Sequence, residues 1–495
     1  MRTTVRHFTY KALFTLIALM VIAGTNSAFG QQYNITLNIK NLQDSVCYLA
    51  QYYGDKILLQ DTAVVKNEQV TDEAYFRHML NGEDSDEERI KQVVFEGDTA
   101  LAQGLYVVAG ASNNKIMDLV VGEQQQFSVA FDIKESLSEH ITFKNSKENA
   151  LFYDYVRYLN QQQKKMQQLQ QAYQEATGDE KPELEQQIRK TNHEVELFQE
   201  NFARENNNTF AGTFVKASGK PTVPDTIPQD NPRARYEYYK SHYWDNIPLD
   251  DDRMLRTPFF HDRWEQYLDK VIPQHPDSLI EALDFLLESA PDDGEIYKYV
   301  LWESTQKYEQ SKIMGFDAVF THLALNYFKE GRTSDINKQV VKNVTERGET
   351  LKNLLIGKKG PNLIMQDSTK TPRQLHDIKA DYTVVVFWDS ECGHCKKVVP
   401  KLAEFYKDNK DKYNLEVFSV STDTSVRKWK QFINKHNLNW VNVFGYWSYT
   451  KDFHDLYDIY STPVIYLLDK EKAIIGKRIS IPQIEEIIQN KKKMN

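Results

Sequence analysis

The stretch Thr383–Leu402, TVVVFWDSECGHCKKVVPKL, decides how the C-terminal part of the chain reads. Thr383 to Trp388 is a short apolar run, β-branched and aromatic, which predicts a buried parallel strand. Asp389-Ser390-Glu391 breaks it and Cys392-Gly393-His394-Cys395 follows. Val399, Leu402 and Phe405 then recur at helical spacing with lysines between them. Pro400 falls inside that helix and is expected to kink it. A strand that hands the chain to a helix places Cys392 at the helix N-terminus. There the unpaired N–H groups and the positive end of the dipole favour an anion. A thiolate is an anion, so the pKa of Cys392 is expected below its free value of about 8.5. Lys396 and a protonated His394 push the same way. Cys395 lies one helical turn on, close enough to close a small disulfide ring. The pair reads as a dithiol that cycles. The competing account is half of a zinc site, which needs two more ligands, and the one remaining cysteine, Cys47, is far upstream.

At 495 residues the chain exceeds one ordinary core, so two to four domains are expected. Charged residues at 26% and aromatics at 12% fit a folded, soluble protein. The formal charge of −9, with no basic patch interleaved with aromatics, argues against nucleic acid as a partner. The N-terminus has the pattern of a secretory signal. Arg2, Arg6 and Lys11 precede the apolar run Ala12–Ala23, and Ala28-Phe29-Gly30 offers small residues for cleavage after Gly30. No later apolar run is long enough for a membrane helix, so the mature chain is not expected to be an integral membrane protein. An exported CxxC pair works where disulfides form and persist, which places the chain in the periplasm or cell envelope. Cys47, in the alternating run Val46–Leu49, reads as a buried strand thiol.

From about Tyr33 to Thr142 the pattern is β. Ile35, Leu37 and Ile39 alternate with polar residues, and similar runs occupy Val46–Tyr53, Lys56–Val65, Gln92–Phe95, Gly104–Ala109, Ile116–Val121 and Gln126–Phe131. This spacing predicts a small β-sandwich, with the acidic insert Glu83–Glu88 as a solvated loop. From Lys144 the period becomes helical. A long polar hairpin is expected, one helix running to about Ala176 and the other from about Pro182 to Asn206. Pro221, Pro224 and Pro228 mark a linker. Aromatic-rich helices follow over Tyr236–Trp244 and Phe259–Val271, then Ser278–Ser289, Glu295–Gln310, Phe316–Phe328 and Ile336–Leu351. Trp244, Phe259, Phe260, Trp264 and Tyr267 are read as core packing. Beyond the CxxC helix, Leu415–Ser421 is a second buried strand, Val426–Lys435 a crossover helix, Val441–Phe444 a short strand and Phe453–Tyr457 another helix. Val464–Leu468 and Ala473–Gly476 form a closing hairpin, and Ile481–Ile488 is the last helix. Strands alternating with helices predict a sheet with helices on both faces.

Phe387-Trp388, the CGHC and lysine after it, and Pro400 five residues past the second cysteine resemble the active site of the thioredoxin-like superfamily. Gly393-His394 is the dipeptide typical of protein disulfide isomerases, while the wider sequence is more similar to the TlpA/ResA-type extracytoplasmic thiol–disulfide oxidoreductases. Gly360-Pro361-Asn362-Leu363 resembles the opening of that group's domain, with glycine in place of alanine, and the strand and helix before Thr462-Pro463 match its extra unit. IKNLQDSVCYLAQYYGDKILLQDTA resembles β domains that precede such domains. DDRMLRTPFFHDRW and SKIMGFDAVFTHLALNYF resemble an uncharacterised helical domain found fused in front of them. The resemblance implies a multidomain chain: a signal peptide (1–30), a β-sandwich-like domain (31–143), an all-α region with the hairpin (144–352) and a C-terminal α/β thioredoxin-like fold (353–495). It also implies a cis Thr462–Pro463 bond beside the CxxC, against a base rate of about 5–6%.

Two departures stand out. The buried acid that thioredoxins place six residues before the first cysteine is Val386 here. The glutamate of ResA-like reductases three residues after the second is Val398. Glu391, Asp389 or a water are the candidate substitutes for proton transfer. The expected function is dithiol/disulfide exchange with disulfide-containing envelope proteins, in the reductase direction, fed by an upstream thiol donor and needing no cofactor or metal. Cys392 and Cys395 are the expected catalytic pair, with Gly393, His394, Trp388, Lys396, Thr462 and Pro463 in support. The alternatives are copper handling by the pair, with His454 as a further ligand, and a non-catalytic envelope adaptor. Peroxidase chemistry is disfavoured, because Ser390-Glu391-Cys392 lacks the threonine of a TxxC site.

Overall fold

A computed structural model describes residues 32–67, 90–112, 114–178, 180–332 and 336–494. The expected signal peptide and the acidic insert lie outside the described residues. In the N-terminal part, β1 (Tyr33–Lys40), β2 (Val46–Tyr53), β3 (Lys56–Val64), β4 (Lys66–Asn67), β5 (Ile90–Gly97), β6 (Gly104–Gly110), β7 (Lys115–Val121), β8 (Gln126–Asp132) and β9 (Thr142–Lys144) form two sheets. Their orders are β4-β5-β1-β8-β9 and β3-β2-β6-β7. Alternation sets the inward faces: Ile35, Leu37 and Ile39 of β1 and Phe127, Val129 and Phe131 of β8 are buried. Cys47 is buried in β2, and burial pushes its thiol up to about 11, so it is protonated and inert at neutral pH.

The predicted hairpin is present as helices Lys147–Glu175 and Glu180–Glu205, joined face to face by Tyr158 stacking on Phe198. A helix absent from the sequence reading, Phe210–Ser218, follows directly. Thr209 caps it locally, accepting from the Gly212 N–H at 3.0 Å, and its first N–H groups, on Phe210 and Ala211, are taken by the distant Glu148 carboxylate at 2.9 and 2.8 Å. The remaining helices are Pro232–Ser241, Phe260–Gln266, Pro276–Ser289, Glu295–Glu309, Asp317–Leu323 and Lys338–Leu351. Two of the predicted long helices instead finish as π-helical turns, over Tyr267–Val271 and Ala324–Phe328. Trp244, Phe260, Trp264 and Tyr267 are buried, as core packing requires. The β2–β3 turn rests on this region. Gly54 (φ 59) donates to the Leu255 carbonyl at 2.8 Å, and a Cβ there would strike the Tyr299 ring.

The C-terminal sheet contains β10 (Ile364–Asp367), β11 (Pro372–Gln374), β12 (Tyr382–Trp388), β13 (Leu415–Ser421), β14 (Val441–Ser448), β15 (Val464–Asp469) and β16 (Ile474–Lys477), in the order β11-β10-β14-β13-β12-β15-β16. β12 is parallel to β13 and β14, as expected of a buried parallel strand, and on its other side β15 is antiparallel. β14 runs four residues beyond the predicted Phe444. Every residue of β12 is buried because it has a core on each face. Val385 and Phe387 join the cluster that is continuous with the helical region. Val384, Val386 and Trp388 join a second cluster with Cys395, Val399 and Leu402. Two-sided burial is why the run lacks polar alternation. The helix after the cysteines, Cys395–Tyr413, continues through Pro400 rather than breaking there.

Candidate active site

The site lies where β12 ends. Trp388 accepts from the Thr422 N–H at 2.8 Å, which clips the ends of β12 and β13 together. The loop then turns on two carboxylates. Asp389 accepts from the N–H groups of Glu391 (2.6 Å) and Cys392 (3.3 Å). Asp423, buried beyond the end of β13, accepts from the Ser390 N–H at 3.0 Å, from the Ser390 hydroxyl, and from the Ser421 hydroxyl at 2.7 Å. Both groups supply the oxygens that a sharp strand-to-helix turn needs to satisfy its N–H groups.

This turn sets the two thiols in different surroundings. Cys392 is half-buried, just before the first turn of the helix, and its Sγ lies 3.4 Å from the Cys395 N–H. It also lies 3.5 Å from the Thr462 carbonyl. Burial raises the Cys392 thiol, but hydrogen bonds from the Cys395 and His394 N–H groups, the Cys395 thiol and the Thr462 side chain outweigh it, and the pKa falls below its ordinary value. Cys395 is buried in the core. Burial dominates there and pushes its thiol up to about 12, although the Asp389 backbone and Thr462 oppose the shift. The two thiols therefore differ in both exposure and acidity, Cys392 half-buried with its pKa lowered and Cys395 buried with its pKa raised.

Of the residues expected in support, Thr462 meets Cys392, and its bond to Pro463 is cis. Trp388 does not face the thiols' solvent side. Its indole is fully buried, donates to the Ser419 hydroxyl at 2.5 Å and packs on Phe432, so it forms the floor. Gly393, His394 and Lys396 are exposed, and a Cβ on Gly393 would meet nothing, so the tip of the loop is open. Glu391 is drawn away from the cysteines into an ion pair with Lys428 at 2.6 Å, which holds its carboxyl below the ordinary value. Asp389 is occupied by the loop amides. Among the described residues no group of three or more His, Cys, Asp or Glu side chains is placed to hold a metal. His454, the further copper ligand considered above, bonds to Asp452 at 2.7 Å instead. Ser390 and Asp423 were not singled out from the sequence. Their only signal there is a polar Ser421-Thr422-Asp423 cluster closing an otherwise apolar strand.

Residues 380–474 match the thioredoxin-like family, and residues 159–349 match a domain of unknown function, DUF5106. A thiol–disulfide oxidoreductase ResA of Bacillus cereus is 26% identical over 132 residues, which is 27% of this chain and 74% of the relative. ResA of Bacillus subtilis is 25% identical over 119 residues, 24% of this chain and 64% of the relative. Among solved structures, a domain of a possible thiol-disulfide isomerase from Cytophaga hutchinsonii is 41% identical, covering 28% of this chain and 95% of that one, with a TM-score of 0.27. A thioredoxin-like protein from Bacteroides caccae is 20% identical, covering 55% of this chain and 98% of that one, with a TM-score of 0.44. Among the described residues no helix is long and apolar enough to cross a membrane. The C-terminal domain is thioredoxin-like and similar to the thiol–disulfide oxidoreductases, and a β domain and a helical region stand ahead of it.

Proposed function

We propose that the chain is an exported enzyme that reduces disulfides of envelope proteins through Cys392 and Cys395. The observation that supports it is the asymmetry of the two thiols: Cys392 half-buried with its pKa lowered, Cys395 buried with its thiol pushed up to about 12. The Cys392 thiolate attacks one sulfur of a partner disulfide, forms a mixed disulfide and expels the other sulfur as a thiolate, which takes a proton from solvent. Cys395 then loses its proton and attacks Cys392 Sγ. The second partner thiol leaves, and the enzyme holds the Cys392–Cys395 disulfide. Two electrons pass to the partner, and an upstream dithiol donor returns them. The Thr462 backbone beside Cys392 suits pairing with an extended segment of the partner.

Signal cleavage after Gly30, residence in the periplasm or cell envelope, and domain limits of 31–143, 144–352 and 353–495 complete the proposal. The reduction potential tests its direction. Equilibration in glutathione buffers, with alkylation and mass spectrometry, is expected to give a value near that of thioredoxin, about −270 mV. A value near about −180 mV would reverse the assignment toward making or shuffling disulfides, the activity for which Gly393-His394 is the typical dipeptide. A pair that closes no intramolecular disulfide at any poise would refute the oxidoreductase reading.

A further inference from the structure

The helical region meets the thioredoxin-like domain through charges as well as apolar surface. Lys477, the last residue of β16, is buried. Its ammonium pairs with Asp317 of the helical region and donates to the Leu354 carbonyl at 3.0 Å. Burial pulls the Lys477 pKa down and Asp317 opposes it, so this charge depends on its partner from the other region. The next residue, Arg478, donates to the Asp458 carbonyl at 2.8 Å and to the Asp458 carboxylate at 2.6 Å. The Asp458 side chain is 1% exposed and receives a second cation from across the boundary. Arg347, on the helix Lys338–Leu351, stands 3.8 Å from Asp458 Oδ2 and is itself tied to Glu309 at 2.6 Å. Asp458 Oδ1 and Arg347 Nε have no hydrogen-bond partner, so the surrounding charges are what keep this buried carboxylate tolerable.

The place of Asp458 in the chain makes this contact more than adhesion. It holds a left-handed backbone conformation (φ 53) four residues ahead of Thr462, whose carbonyl faces Cys392 Sγ. The far end of the same loop is fixed by the pairing of Val464 with Phe387 in β12. The near end is fixed through Asp458. Lys477 belongs to the same frame, because it pairs with Tyr466 of β15, which follows the loop.

We propose that Arg347 and Asp317 are positioning residues for the redox site. Through Asp458 and Lys477 they set the loop that presents Thr462 to Cys392, and the docked helical region thereby sets the reactivity of that thiol. The proposal rests on the assignment of Cys392 as the attacking cysteine. It gives the residues 159–349, which match a domain of unknown function, a task inside the enzyme.

The test uses the full chain with Arg347→Met, Arg347→Lys and Asp317→Asn. The readout is the second-order rate of Cys392 alkylation by iodoacetamide at pH 7, located by mass spectrometry, with thermal unfolding as the check of fold. Elements of a coupled network shift a distant equilibrium by an amount that corresponds to roughly three- to tenfold here. Arg347→Met is expected to slow alkylation by about that factor, with Arg347→Lys between it and the parent protein. Folded variants that react at the parent rate would overturn the proposal. Should Asp317→Asn fail to fold, the Arg347 pair decides, since it leaves the Asp317–Lys477 ion pair intact. Alkylation needs only a nucleophilic Cys392. A parent protein that forms no Cys392–Cys395 disulfide would refute the oxidoreductase reading and leave this measurement valid.

Discussion

Ser390 and Asp423 are joined through both the amide and the hydroxyl of the serine, and this buried clamp stands two residues before the attacking cysteine. Asp423→Ala would strand the Ser390 N–H and the Ser421 hydroxyl in the core. A buried donor left unpaired costs about 1–3 kcal/mol. The variant is expected to unfold at lower denaturant and to lose part of the fast reaction of Cys392. An unchanged midpoint in urea would show that water or a neighbour replaces the carboxylate.

The three cysteines should titrate in a fixed order. Cys392, held below its ordinary value, is expected to be alkylated quickly at neutral pH. Cys395, pushed up to about 12, and Cys47, pushed up to about 11, should resist until the fold opens. The linkage has opposite signs. The lowered Cys392 pKa contributes stability to the reduced protein above its unfolded value, and this is lost as pH falls through the folded pKa. The raised pKa values of Cys395 and Cys47 favour the fold below their unfolded values. That contribution is lost as pH rises from about 9 toward 11 and 12. Denaturant midpoints of the reduced protein across pH 7 to about 11 check the second sign, with a decline expected.

Trp388 tests the floor of the site. Its replacement by Ala removes a fully buried indole between Phe432 and the Cys395 core, and such deletions cost about 3–5 kcal/mol. Trp388→Phe keeps most of the packing and loses the donor to Ser419, so its cost is expected near ~1 kcal/mol. Urea unfolding of the two variants separates these effects. Equal losses would mean that the hydrogen bond, and not the packing, holds the floor.

The features legible in the sequence are those encoded by neighbours in the chain. Two-sided burial makes Thr383–Trp388 apolar throughout, and the paired cysteines follow it at helical spacing. Ile35, Leu37 and Ile39 alternate because one sheet face is dry. What escaped the reading depends on partners far away. The helix Phe210–Ser218 has its first two N–H groups satisfied by Glu148, and Ser390 is satisfied by Asp423. Arg347 and Asp317 meet Asp458 and Lys477 only because two regions dock. The π-helical turns that end two helices leave no mark in hydrophobic periodicity, since they shift the register without changing which residues are apolar. The surroundings of the candidate proton-transfer carboxylates were hidden for a similar reason. Glu391 and Asp389 have the right chemistry near Cys392, but their charges are committed to Lys428 and to the loop amides.

The roles assigned to the two cysteines can be separated by trapping. With Cys395→Ser, Cys392 still attacks a disulfide, but nothing buried beneath it can release the partner. Incubation with native, disulfide-bonded insulin is therefore expected to yield a mixed disulfide at Cys392 that survives non-reducing electrophoresis and disappears with dithiothreitol. With Cys392→Ser, the remaining thiol is buried and protonated, and no adduct is expected at neutral pH. The reverse pattern would assign attack to Cys395 and require the helix to open before reaction. Adducts in both variants would mean that the buried thiol reaches solvent on the time scale of exchange. The difference in burial would then no longer fix the order of the two steps.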